Sequence, residues 1–478
     1  MLFNSIEFLI FFPLVVALYF FIPHRYRWIL LLGASCYFYM VFVPVYILIL
    51  GFTIVIDYFA GRLLESTQGR TRKIWLIASI IANVGVLAFF KYYNFLNDNL
   101  TTLLKGIAVQ NPIPYLSIML PIGLSFHTFQ AMSYTIEVYR GHQKAERHFG
   151  IYALYVMFFP QLVAGPIERP QNMLHQFHER HYFDYQRIAE GIKHIIWGLF
   201  KKVVIADRLS EYVNIVYNNP TDFQGQHLLL ATIFFSFQIY CDFSGYSEIA
   251  IGTAKILGYN LMVNFRRPYL SQSIHEFWGR WHISLSSWFR DYLYISLGGN
   301  RVSKPRHYFN LFFTFLISGL WHGANWTFVI WGALHGFYLV FAKLTSPLRE
   351  RINKFTGISK IPIVSKLSQM LITYALATFA WVFFRAGSLP NALYIIKNMF
   401  IWGPVDNLNL FTFRADMYIS IILIVLLMAI EWIEEKYQIF LALKVSPVYV
   451  RWTVYTTAIV SMIVLGVWKS ADFIYFQF

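Results

Sequence analysis

Two histidines in apolar surroundings are the residues best suited to chemistry in this chain. Fourteen histidines are present, and His24, His142, His148, His175, His178, His181, His227 and His307 sit in polar segments, where a solvated side chain is expected. His322 differs: it lies in Leu316-Ile-Ser-Gly-Leu-Trp-His-Gly-Ala-Asn325, within an apolar stretch of 34 residues (309–342). A titratable group at membrane depth is costly and usually faces a cavity or pathway. Gly319 and Gly323 flank it and permit a helix break or close approach of a second segment. His127 and His335 are also intramembrane, and a satisfied structural role is expected of both. His282 lies 40 residues before His322, too far to suggest a metal site, which wants further ligands at tight spacing. Acyl transfer needs less: one imidazole to take a proton from a hydroxyl, and donors for the developing oxyanion. The chain has no Gly-x-Ser-x-Gly elbow, and neither Cys36 nor Cys241 adjoins a histidine, so no serine or cysteine acyl-enzyme is expected.

Elements buried in a bilayer must position these residues. The 478 residues are 57% hydrophobic and 13% charged, where a soluble domain carries about 25% charged residues. That excludes a soluble enzyme, a disordered regulator and a disulfide scaffold, and leaves an all-α integral membrane protein. Spans are expected at Ile6–Ile22, Trp28–Val43, Val45–Ala60, Ile74–Tyr92, Pro114–Tyr139, Ile151–Ala164, Ile188–Ile205 and Leu228–Met262. Phe309–Ala342, Met370–Phe384, Tyr418–Ile430 and Trp452–Val467 follow. At roughly 20 residues per crossing the total is about eleven passes, in one domain over 1–478. The start of the chain lacks the basic region of a cleaved signal peptide, so the first span is expected to stay.

Lys and Arg exceed Asp and Glu by 39 to 24, a net +15. Clusters at Arg25 and Arg27, at Arg62 to Lys73, at Arg140 to Arg147 and at Lys343 to Lys366 mark cytoplasmic loops. They place the N-terminus outside and leave no need for a nucleic-acid partner. Between Gly165 and Arg306 the pattern breaks. Eight aromatic residues fall between Tyr269 and Tyr294 among Glu276, Arg280, His282, Arg290 and Asp291. On one helix, Trp278, Trp281, Leu285, Trp288 and Tyr292 would share a face, and Arg280, Ser284, Ser287 and Asp291 another. That periodicity predicts an interfacial or half-buried helix.

The segments Arg280-Trp-His-Ile-Ser-Leu-Ser286, Phe289-Arg-Asp-Tyr-Leu-Tyr294 and Gly319-Leu-Trp-His-Gly323 together resemble the membrane-bound O-acyltransferase family. Phe158-Phe-Pro-Gln-Leu-Val-Ala-Gly-Pro-Ile-Glu-Arg-Pro170 and Tyr240-Cys-Asp-Phe-Ser-Gly-Tyr-Ser-Glu-Ile-Ala-Ile-Gly252 are similar to its bacterial branch, which O-acetylates polysaccharides such as alginate and peptidoglycan. The similarity covers the whole chain and is densest over 121–341. It implies a multi-pass bundle with re-entrant or interfacial helices around a central tunnel, in the bacterial inner membrane. His322 matches the family's near-invariant catalytic histidine and His282 its second. The donor implied is acetyl-CoA, with no metal. Candidate donor contacts are Arg280, Arg290, Asp291, Ser318 and Asn325, joined by cytoplasmic-side cations Lys201, Lys202, Arg266 and Arg267. His127 and Glu248 depart from the branch's usual residues, and neither touches the two histidines.

The aromatic tail 472–478, Asp-Phe-Ile-Tyr-Phe-Gln-Phe, reads on its own as an interfacial anchor. It also resembles the terminal motif of a microprotein that works with the family's D-alanyl-transferring members, which implies that Tyr475 could carry the acyl group to an extracytoplasmic SGNH-type partner. Two other classes of function remain: a transporter with a histidine proton relay, which expects inverted repeats not found here, and a non-catalytic scaffold for polysaccharide export.

Overall fold

The computed structural model describes residues 1–117, 121–357, 360–404, 408–468 and 473–474. The described residues form helices and loops, without strands. Seven helices are long and apolar enough to cross a membrane: Pro44–Ser66, Gly69–Lys105, Gln226–Leu257, Trp326–Leu344, Pro362–Arg385, Ala415–Tyr437 and Val448–Leu465. Ile6–Phe21 is apolar but shorter, and its first turn is capped by Ser5, whose hydroxyl accepts from the Phe8 N–H at 3.2 Å. Several expected spans take another form. Ile151–Ala164 resolves into Phe149–Met157 and the single turn Phe159–Leu162, both too short to cross. The run 309–342 is two helices, Lys304–His322 and Trp326–Leu344, broken at Gly323 to Asn325.

Contacts divide the chain into two compact units. The first holds Met1–Ile195 and Tyr246–Met262. Its polar interior joins helices, because a buried polar group in a bilayer must find its partner inside the protein. Asp57 accepts from Ser79 Oγ at 2.6 Å and from Asn83 Nδ2 at 2.9 and 2.8 Å, tying Ile47–Ser66 to Gly69–Lys105. His127 Nε2 lies 2.6 Å from Thr53 Oγ1, tying Leu124–Arg140 to the same helix. The buried Glu168 accepts from Asn172 Nδ2 at 2.6 Å and from the Met262 N–H. Burial pushes the Glu168 carboxyl up to about 7, against the pull of those donors. The Phe158–Pro170 motif is therefore a structural knot in this unit.

The second unit holds Ile196–Gly245 and Val263–Phe478. Its helices Lys304–His322 and Trp326–Leu344 pack at contact distance because glycines face each other. A Cβ on Gly319 would lie 2.3 Å from the Phe328 carbonyl oxygen, and one on Gly332 would lie 2.4 Å from that of Phe315. Between Leu257 and Lys304 the chain makes only short helices, Ile274–Arg280 and Ile283–Trp288, then a π-helical turn over Phe289–Tyr294. The single helix expected over this stretch breaks at Trp281 and His282. His282 takes φ 44° and ψ 54°, a left-handed conformation that a side chain tolerates only where its surroundings hold it. The break keeps Trp278, Trp281, Leu285, Trp288 and Tyr292 all buried, and it also buries Ser284, expected on the polar face.

Candidate active site

His322 is the last residue of its helix, and Gly323 caps it in extended backbone. A Cβ on Gly323 would lie 2.1 Å from the Phe328 ring, so glycine is what lets the chain turn here. Asn325 starts the next helix, its side-chain oxygen accepting from the Thr327 N–H at 3.0 Å, with Nδ2 donating to the Gly387 carbonyl at 3.3 Å. The His322 ring is 6% exposed. It meets Trp321 and Trp331 at centroid distances of 4.8 Å each and Phe384 at 5.3 Å. Ser318 is buried one turn earlier on the same helix.

His282 reaches the same place by another route. Asn264 organises the start of its helix. The Asn264 carbonyl accepts from the Ile283 N–H at 2.9 Å. Its side-chain oxygen accepts from the Ser284 N–H at 3.2 Å and the Ser284 hydroxyl at 3.0 Å. These bonds fix the two residues that follow His282 and so hold its left-handed backbone. Its ring is fully buried, against Phe243 at 4.6 Å and stacked on Phe265 at 6.4 Å. Trp321 lies 6.4 Å from His282 and 4.8 Å from His322. One indole therefore connects two histidines 40 residues apart in sequence.

His335 is held differently. Trp278 Nε1–H donates to its Nδ1 at 3.2 Å, and Trp331 packs on it at 5.0 Å. Trp331 also stacks on Trp381 at 5.8 Å, and Trp381 meets Trp281 at 4.9 Å. These indoles form an apolar wall beside both His322 and His335. Such a wall excludes water, which would otherwise compete for an activated acyl group.

The tail reaches this region too. Phe473 and Ile474 are each 1% exposed. The Phe473 ring meets Phe243, the partner of His282, at 5.9 Å, and the Ile474 N–H donates to Asp242 Oδ2 at 2.9 Å. Tyr475 lies outside the described residues.

The expected donor contacts fare unequally. Lys202, expected to meet a nucleotide phosphate, is buried between Asp207 Oδ1 at 2.8 Å and Asp242 Oδ1 at 2.9 Å. A buried ammonium takes carboxylate partners because leaving it bare is prohibitive. Lys201 is also buried, 5.7 Å from the Trp197 ring centroid and 6.0 Å from that of Tyr240. Arg280 pairs with Glu276 Oε1 at 2.8 Å and Glu435 Oε1 at 2.9 Å, and Arg267 pairs with Glu435 Oε2 at 2.6 Å. Burial disfavours the charge on Arg280, but these carboxylates outweigh it and hold the guanidinium above its ordinary value. Arg266 is exposed, and its N–H donates to the Arg280 carbonyl at 2.9 Å. Arg290 is exposed, and its Nε lies 2.8 Å from Asp291 Oδ1. Among the described residues no three His, Cys, Asp or Glu side chains are grouped to hold a metal. Reading the sequence missed Asn264 and Phe243. The only signal for Asn264 was an amide amid the apolar residues Leu261 to Phe265.

The model of the MBOAT, membrane-bound O-acyltransferase family, matches residues 142–380. A "Probable alginate O-acetylase" of Pseudomonas aeruginosa is 39% identical over 446 residues, covering 92% of this chain and 82% of the relative. A peptidoglycan O-acetyltransferase of Helicobacter pylori is 38% identical over 399 residues, covering 78% and 73%. A teichoic acid D-alanyltransferase of Streptococcus thermophilus is 30% identical over 254 residues, covering 49% and 59%.

Proposed function

The chain belongs to the membrane-bound O-acyltransferase family and is an O-acyltransferase, and from that premise we propose that it moves an acetyl group from cytoplasmic acetyl-CoA to a hydroxyl of an extracytoplasmic polysaccharide. The observation that carries the reading is the pair His282 and His322, both against Trp321, with Phe473 packed on the same Phe243 as His282. The acceptor class follows from the names of the relatives, which act on alginate or peptidoglycan.

In this proposal His322 is the general base. It takes the proton from an attacking hydroxyl, the oxygen adds to the thioester carbonyl, the C–S bond breaks, and the proton passes to the departing thiolate. His282 lines the donor path. The attacking hydroxyl is that of Tyr475, so the first product is a tyrosyl acetate and free CoA. An SGNH-type partner outside the membrane then takes the acetyl group to the polymer and regenerates the phenol. Acetyl-CoA does not cross a bilayer, so a carrier of this kind solves a transport problem with one covalent bond. The basic loops put the donor on the cytoplasmic side of a bacterial inner membrane, with the N-terminus outside. Ser318, Asn325, Arg280, Arg290, Asp291 and Lys201 remain the candidate donor contacts.

The test is transfer of labelled acetyl from acetyl-CoA in membranes carrying the full chain. His322→Ala should abolish it, and normal transfer by that variant would end the assignment. Mass spectrometry of the terminal peptide should show an added acetyl group that is lost in Tyr475→Phe.

A further inference from the structure

The second unit contains a buried ionic cluster that the proposed chemistry leaves unused. Lys202 sits in a π-helical turn, Phe200–Ala206, Asp207 opens the following helix, and Asp242 lies within Gln226–Leu257. The single ammonium serves two carboxylates, at 2.8 and 2.9 Å. All three side chains are nearly sealed from solvent. Two carboxylates against one ammonium leave an excess of negative charge in a low-dielectric interior, and such a charge must recruit further donors. Asp242 does so with its second oxygen, and the donor is the backbone N–H of Ile474 at 2.9 Å.

We propose that Asp242, oriented by Lys202, is a latch that seats the tail segment Phe473–Ile474 beside Phe243. Three observations support it. The bond is to a backbone N–H, so it fixes the position of the chain without reading a side chain. Phe473 packs on Phe243, the next residue after Asp242, so aromatic contact and hydrogen bond act on adjacent residues from one helix. A further tether upstream joins the Val467 N–H to the Val203 carbonyl at 2.8 Å, next to Lys202. Lys202 and Asp242 are positioning residues: Asp242 touches the tail, and Lys202 touches Asp242. Only the effect on transfer rests on the Tyr475 reading above; the latch itself does not.

The experiment uses the full chain in membranes, with Cys36→Ser and a reporter cysteine, Gln477→Cys; the buried Cys241 stays. The rate of maleimide labelling reads the freedom of the tail. Ile474→Pro removes the donated N–H together with part of a buried side chain, and Ile474→Val trims that side chain while keeping the N–H. Ile474→Pro and Asp242→Ala should each raise labelling at least tenfold, while Ile474→Val leaves it within twofold. The same two variants should lower kcat for acetyl loading, counted per folded chain from the detergent-soluble monodisperse fraction, at least tenfold while KM for acetyl-CoA stays within twofold. Asp242→Asn, which keeps an oxygen acceptor, should recover part of both. Unchanged labelling in Ile474→Pro overturns the latch even if Asp242→Ala misfolds. Faster labelling with full loading overturns the positioning role. Faster labelling together with full polymer acetylation by Tyr475→Phe would instead sink the relay and leave the latch standing.

Discussion

Four of the buried histidines divide into two pairs, and burial does not separate them. His127 and His335 each sit inside a helix, and each has a ring nitrogen engaged by a named polar partner, Thr53 Oγ1 at 2.6 Å and Trp278 Nε1 at 3.2 Å. His282 and His322 sit where the backbone breaks. One adopts a left-handed conformation ahead of a six-residue helix, and the other ends its helix against an extended glycine. A helix interior fixes a ring for packing. A break lets a ring project past its own helix toward whatever enters beside it. In a bilayer the irregular backbone this requires is tolerated only where protein covers it or a cavity receives it. Backbone irregularity, more than depth, marks the pair proposed to line the reaction.

The largest expected effect tests that division directly. His322→Ala should reduce acetyl transfer by about 10³-fold, within the range of a lost general base, while the thermal midpoint in detergent stays close to that of the parent. His335→Phe and His127→Leu should do the reverse: each removes one partner of a buried hydrogen bond, costing about 1–3 kcal/mol of stability, with kcat within about threefold of the parent. If a stable His127 or His335 variant loses transfer as His322→Ala does, the division is wrong.

Asn264 sharpens the comparison, because it supports His282 without touching substrate. Asn264→Ala removes the acceptor for Ser284 and should destabilise by about 1–2 kcal/mol, as a lost helix cap does. It should also lower transfer by about tenfold, and Asn264→Asp should restore part of that. Gly319→Ala pushes a methyl group onto the Phe328 carbonyl, and the overpacking should cost about 1–3 kcal/mol, read as a lower thermal midpoint.

The smallest effects concern charge. Glu435→Gln releases Arg267 and Arg280, and surface pairs of this kind contribute about 0–1 kcal/mol. Its change should therefore shrink further at high salt. Glu168 gives a pH signature. Its folded value, about 7, lies above the ordinary carboxylate value, so its contribution is complete at low pH and lost as pH rises through 7. Stability should fall as pH rises from the ordinary value of 4.5 to about 7, and Glu168→Gln should flatten that slope.

Much of the site was legible in the sequence, for local reasons. His322 stood out because imidazole is expensive in a 34-residue apolar run (309–342), and the flanking glycines announced the break that the structure shows. The partners of Lys202 were illegible for a non-local reason: a lysine near a basic loop resembles an anion contact, and Asp242, which faces it, lies 40 residues on. The aromatic stripe from Trp278 to Tyr292 was read with the right buried face and the wrong continuity. Its break depends on Asn264, a residue outside the stripe.

The amino-acid sequence by itself determined the solvent this protein folds in, because apolar run length and charge scarcity are sums over local composition. It also determined the family and which histidines were costly to bury. The tertiary structure decided which of those histidines meet, that Trp321 joins them, and that Asp242 holds the tail. Each of these is a juxtaposition across tens to hundreds of residues. It is set by how helices pack, and no local pattern encodes it.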